Sequence, residues 1–134
     1  MKRSTAIKLG QPVVAKYVGS TVAGLAPRIM GIGPTVAIPK LLAKHNITLD
    51  DCDVVELNEA FASMAVYCRD NLKLDWAKMN PKGGAIALGH PLGMSGARLV
   101  GSLARQLVAS GDRYGLATMC VGVGQGVAMA IERI

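Results

Sequence analysis

The chain has 134 residues, 51% of them hydrophobic and 4% aromatic, with a formal charge of +6. That length suits one domain with a real core, and the apolar content excludes a disordered polymer. Three cysteines cannot all pair with one another and share no metal-ligand spacing with His45 or His90, so they read as free thiols in a reducing compartment. No apolar run approaches the roughly 20 residues that span a bilayer. Lys2 and Arg3 are followed by no signal-peptide core, and Glu132-Arg133-Ile134 matches no peroxisomal address, so no targeting signal is visible. The first 49 residues carry seven Lys or Arg and no acid. These cations are scattered singly without aromatic platforms, which argues against nucleic acid and leaves a solvated face or a phosphorylated ligand.

Residues 1 to 10 read as a remnant of a preceding unit, with a short helix from Ser4 to Leu9 closed by Gly10. Val13 to Leu25 has the β-branched content of a strand, interrupted at Gly19 and Gly24 and stopped by Pro27. Met30-Gly31-Ile32-Gly33-Pro34 is a loop that sets Pro34 in the first turn of a helix to about His45, in which Pro39 should force a kink or restart. Thr48 to Asp51 forms a capping-type turn before a short buried strand, Asp53 to Leu57, which delivers Asn58 and Glu59 to its end. A helix from about Glu59 to Leu72 places Phe61, Met64, Ala65 and Cys68 on one core-facing side. Trp76 reads as a packing lid over the connection that follows.

Asn80 to Val100 is the most unusual stretch. Glycines 83, 84, 89, 93 and 96 surround His90-Pro91, and Leu99, Val100, Leu103 and Leu107 then form one helical stripe ending near Ser110-Gly111. A histidine in a tight loop at a helix N-terminus can stay neutral and act as a base, although a glycine-rich turn that merely contains a histidine explains the residues equally well. Tyr114 to Val121 and Val127 to Ile131 read as strands, joined by a hairpin-like turn at Gly122-Val123-Gly124-Gln125-Gly126. The fold class expected is α/β, a mixed sheet covered by helices. A dinucleotide site is rejected for the glycines at 122 to 126, because that fingerprint needs a helix after the loop.

Asn58, His90 and Cys120 therefore stand at strand ends or glycine loops, and a sheet can bring all three to one edge. Backbone N–H groups after Cys120 can hold an oxyanion. Each residue alone has a plainer explanation: a helix N-cap for Asn58 and an inert buried thiol for Cys120.

Together, Asn58-Glu59-Ala60-Phe61, Gly89-His90-Pro91 and Cys120-Val121-Gly122-Val123-Gly124 have the order and spacing of the C-terminal half of the thiolases, which Met30 to Pro34 also resembles. The run Met30 to Lys40, with Ala62-Ser63 and Tyr67-Cys68-Arg69, most resembles the degradative, peroxisomal-type 3-ketoacyl-CoA thiolases. The resemblance implies a thiolase C-terminal domain over 11 to 134, one half of a layered αβαβα architecture, with residues 1 to 10 ending the other half. It implies acyl transfer to coenzyme A with release of acetyl-CoA, as in fatty acid β-oxidation, CoA thioesters as substrates, no cofactor, and a homodimeric enzyme. The compartment it points to is the peroxisome, with mitochondrion and cytoplasm as alternatives. By matching motif, His90 activates a nucleophilic cysteine, Cys120 is acid and base, Asn58 with a water steadies the enolate oxygen, and the Gly122 N–H serves a second oxyanion hole. The half that bears the nucleophile is not among these residues. Cys52 sits among Asp50, Asp51 and Asp53, and Cys68 lies on a core face, so neither replaces it. The alternatives are an acetoacetyl-CoA or 3-oxoadipyl-CoA thiolase fragment and a non-catalytic acyl-CoA-binding module. Bare partner surfaces, and hence exposed apolar area, are expected.

Overall fold

A computed structural model describes all residues, Met1–Ile134. The elements run α1 (Arg3–Lys8), β1 (Ala15–Gly24), a 3₁₀ segment (Pro27–Ile32), α2 (Pro34–His45), β2 (Cys52–Leu57), α3 (Ala62–Leu72), α4 (Ala85–Leu88), α5 (Leu92–Ser110), β3 (Tyr114–Val121) and β4 (Gln125–Arg133). The four strands form one mixed sheet in the order β1-β4-β3-β2. β2 and β3 are parallel, while β4 is antiparallel to both β3 and β1. No helix is long and apolar enough to cross a membrane.

Alternation along the strands splits the core in two. One face sends Cys52, Val55, Leu57, Leu116, Cys120, Ala128 and Ala130 against Ile38 and Leu41 of α2 and Met64, Ala65 and Cys68 of α3. The other sends Val54, Ala117 and Ile131 against Leu99, Leu103 and Leu107, the stripe of α5. Each of those leucines, buried from water, contributes about 1.5–3 kcal/mol. α5 lies mainly over β2 and β3 and reaches β4 at Ile131, but it does not cover β1. The β1 side of that face is left open: Val22 is 53% exposed, and beside it Val127 and Met129 of β4 line a small apolar cleft with Met119, Leu99 and Val100.

Close packing of α2 on the sheet needs glycine on both sides. A Cβ on Gly33 would lie 2.7 Å from the Gly126 Cα, and a Cβ on Gly126 would lie 2.1 Å from the Gly33 oxygen. This contact explains the glycine before Pro34. The strand interruption expected at Gly19 is a bulge instead, since β1 continues through it with a register shift between Tyr17 and Gly19, and the His45 ring packs where a side chain would be.

Three local expectations are corrected. α2 runs unbroken through Pro39, which lies on its exposed side, where solvent can take the carbonyl that loses its donor. α3 starts at Ala62 rather than Glu59, because Phe61 is extended (φ −145°, ψ 139°) and 57% exposed instead of joining the core face. Trp76 is 60% exposed and closes no core; its ring lies under the Arg69 guanidinium, 4.3 Å from centroid to charge.

Candidate functional site

The parallel pair β2–β3 sets the edge at which the site forms. Leu57 pairs with Thr118, and the Asn58 N–H then donates to the Thr118 carbonyl at 2.9 Å. Asn58 thus ends one strand beside the last turns of its neighbour, where Cys120 sits two residues further on. Its side chain is fully buried, and it does not cap a helix, since α3 begins four residues later.

Asn58 and His90, 32 positions apart in sequence, meet directly: the amide Nδ2 lies 3.2 Å from the His90 Nε2. Gly89, at φ +87°, turns the chain so that the half-buried imidazole faces the strand end, and α5 starts at Leu92 just beyond it. The other ring nitrogen, Nδ1, is 2.5 Å from the Ser95 Oγ, which donates to the Pro91 carbonyl at 3.1 Å. Arg98, one turn further along α5, donates to the Asn58 Oδ1 at 3.3 Å and to the Gly89 carbonyl at 2.9 Å.

A second set of polar contacts holds the loop before His90. The Asn80 side chain exchanges two hydrogen bonds with the Leu57 backbone, at 2.8 and 2.9 Å, as a strand neighbour would. It also donates to the Glu59 Oε1 at 2.9 Å, while the Glu59 Oε2 accepts the Ile86 N–H at 3.0 Å. Glu59 is expected from sequence at the strand end beside Asn58, whereas the sequence assigns no role to the Ser95, Arg98 or Asn80 side chains. A serine and an arginine at i+5 and i+8 from a loop histidine, on one face of the first helical turns, are the available signal.

Cys120 has a different setting. It is 5% exposed on the α2–α3 face of β3, and burial pushes its thiol up. The turn Gly122-Val123-Gly124 reverses the chain into β4, so this is the strand-turn-strand that excludes a dinucleotide loop. Gly122 is exposed, and the turn is docked where the Leu25 N–H donates to the Gly124 carbonyl at 2.9 Å. The structure therefore brings Asn58 and His90 into contact and places Cys120 and Gly122 at the end of the adjacent strand. Cys52 and Cys68 are each pushed up to about 11, chiefly by burial, and for Cys52 also by Asp51 and Asp53. Neither supplies a thiolate near neutral pH. Large apolar side chains surround this edge in the open: Phe61, Ile86, Leu88, Leu92 and Val123 are all at least 57% exposed.

The profile of the family described as "Thiolase, C-terminal domain" matches residues 11–133. The chain belongs to the thiolases. As a thiolase C-terminal domain it is 61% identical over 122 residues to a β-ketoadipyl-CoA thiolase of Pseudomonas aeruginosa, covering 90% of this chain and 30% of that protein. It is 48% identical over 131 residues to a peroxisomal 3-ketoacyl-CoA thiolase of Yarrowia lipolytica, covering 98% and 32%. The crystal structure of the Bacillus anthracis acetyl-CoA acetyltransferase superposes with a TM-score of 0.97 at 44% identity, over 100% of this chain and 34% of that one. The chain thus spans about a third of the length of the thiolases it matches, and relatives of both bacterial and peroxisomal name are similar to it.

Proposed function

We propose that this domain is the C-terminal catalytic half of a 3-ketoacyl-CoA thiolase, completed by an N-terminal half that brings the nucleophilic cysteine. The observation that carries the reading is the Asn58–His90 contact at the strand end beside Cys120. In the reaction so read, His90 Nε2 takes the proton of the nucleophilic thiol as its sulfur attacks the 3-keto carbon. The C2–C3 bond breaks, its electron pair leaves on C2 as the acetyl-CoA enolate, and the Cys120 S–H protonates C2. A thiol held neutral by burial suits that donation. The Cys120 thiolate then deprotonates the thiol of a second CoA, which takes the acyl group and frees the nucleophile. Asn58, through a water, and the protonated His90 steady the enolate oxygen, while the Gly122 N–H steadies the tetrahedral oxyanion. No cofactor enters these steps. The uncovered β1 side of the sheet and the exposed apolar rim support a partner half packed against this one, and the intact enzyme is read as a homodimer.

The test is thiolysis of acetoacetyl-CoA and of a longer 3-ketoacyl-CoA, by the chain alone and mixed with a thiolase N-terminal half. Activity is expected only in the mixture, falling about 10²–10⁴-fold on His90→Ala or Cys120→Ala. Activity from the chain alone would refute the division of labour. Assembled halves without activity would favour a non-catalytic module. A second substrate reading, a 3-keto dicarboxylic thioester such as β-ketoadipyl-CoA, is supported by the P. aeruginosa relative at 61% identity. A higher kcat/KM for β-ketoadipyl-CoA than for aliphatic 3-ketoacyl-CoAs would establish it and remove the peroxisomal β-oxidation reading, which the Y. lipolytica relative supports.

A further inference from the structure

We propose that Arg98 and Ser95 are positioning residues that fix His90 in the Nδ1–H tautomer and so leave Nε2 as its bare, basic atom. The direction is set at the Arg98 end, where the donor has an invariant polarity. A guanidinium only donates, so the Asn58 amide atom facing Arg98 must be Oδ1, and the NH₂ group is forced toward His90. A nitrogen that meets an NH₂ donor at hydrogen-bond distance has to accept, so Nε2 carries no proton and Nδ1 does. At the far end the Pro91 carbonyl offers the Ser95 hydroxyl an acceptor at 3.1 Å, which leaves the Oγ a lone pair for the Nδ1–H at 2.5 Å. Through the chain Arg98, Asn58, His90, Ser95, Pro91 the Arg98 end sets the direction, the Ser95 end accommodates it, and each bond polarises the next.

The arrangement is built in rather than incidental. Ser95 and Asn58 are both fully buried, so water cannot substitute for the partners they lose. Arg98 also ties the Gly89 carbonyl, holding the residue before His90 to the same helix that carries Ser95. An imidazole free in water favours the opposite tautomer, with the proton on Nε2. In that form the ring would point N–H at N–H toward Asn58 and could not receive a proton at the atom facing the strand end. Neither Arg98 nor Ser95 touches a reacting atom in this account; both act through His90.

The purpose of the device rests on the thiolase reading, but its existence does not, and the test separates them. The full chain, labelled with ¹⁵N in its histidines, is examined at alkaline pH by long-range ¹H–¹⁵N correlation, with His90 assigned by loss of its signals in His90→Gln. The wild-type ring should show a pyrrole-type Nδ1 and a pyridine-type Nε2. Ser95→Ala and Arg98→Gln should each move the ring toward the reverse pattern, and Ser95→Thr should restore it. A wild-type His90 with its proton on Nε2, or an unchanged pattern in both variants, would overturn the proposal. The wild-type measurement alone decides if a variant fails to fold. The expected tautomer in a domain whose completed enzyme shows no thiolysis would uphold the positioning role while removing the thiolase mechanism.

Discussion

His90 and Cys120 lie at the same edge of the sheet but are held by opposite means. His90 sits in a string of directional hydrogen bonds from α5 and from Asn58 at the end of β2. Cys120 is placed by strand pairing and apolar packing, and burial is the main influence on its thiol. The difference matches what the proposed reaction asks of each group. A base must present one particular nitrogen in one orientation, which only directional partners supply. A thiol that must remain protonated until it donates needs low polarity around it, and its single sulfur has no tautomer to choose.

The largest effect that sharpens this contrast is an alkaline one on the apolar side. The thiols of Cys52 and Cys68 share the Cys120 face and are pushed from 9.0 to about 11. Above pH 9 the unfolded chain releases these protons while the folded chain keeps them, so the native state binds more protons and stability falls as pH rises from about 9 to 11. Each thiol accounts for as much as roughly 3 kcal/mol over that window. Urea midpoints measured across it should drop steeply, and less so in Cys52→Ala; a flat profile would contradict the buried-thiol account.

A smaller and purely steric break is Gly126→Ala. Its methyl group would collide with the Gly33 backbone, which has no flexible tip to swing away. A loss of about 1–3 kcal/mol in denaturant unfolding is expected, with the His90 bonds intact. The smallest effect falls on the polar side. Ser95→Ala leaves the His90 Nδ1–H without its acceptor and should cost about 1 kcal/mol in stability by the same measurement, less than the steric change despite its closeness to the site.

Much of this was readable from residues alone, and the failures share a cause. Tyr114–Val121 is a continuous apolar run with few competitors for its conformation, and the observed β3 has those same ends. Pro34 and the polar end of α2 fixed that helix in the same way. Pro39 misled because the rule against internal proline assumes that the freed carbonyl is cut off from solvent, and here the ring is on the wet side. Phe61 misled because helical spacing was extended one turn too far, into a segment where strand-end geometry prevails. Asn58, His90 and Cys120 stood out because glycines and strand ends frame them. Ser95, Arg98 and Asn80 did not, since their roles depend on partners 5 to 40 positions away that no local pattern reveals.

The strand order carries a consequence for how the molecule acquires its fold. β4, drawn from residues 125–133, lies between β1 and β3, and Ala15 pairs with Arg133. Until that late segment arrives, β1 has no neighbour and the sheet exists only as the β2–β3 pair with its helices. Closing a loop that nearly encompasses the chain is slow, because its entropy is lost before any of its contacts form. During synthesis β1 must therefore wait for its β4 partner, open to other chains, and the hairpin that carries Cys120 into place is also the event that covers one side of it.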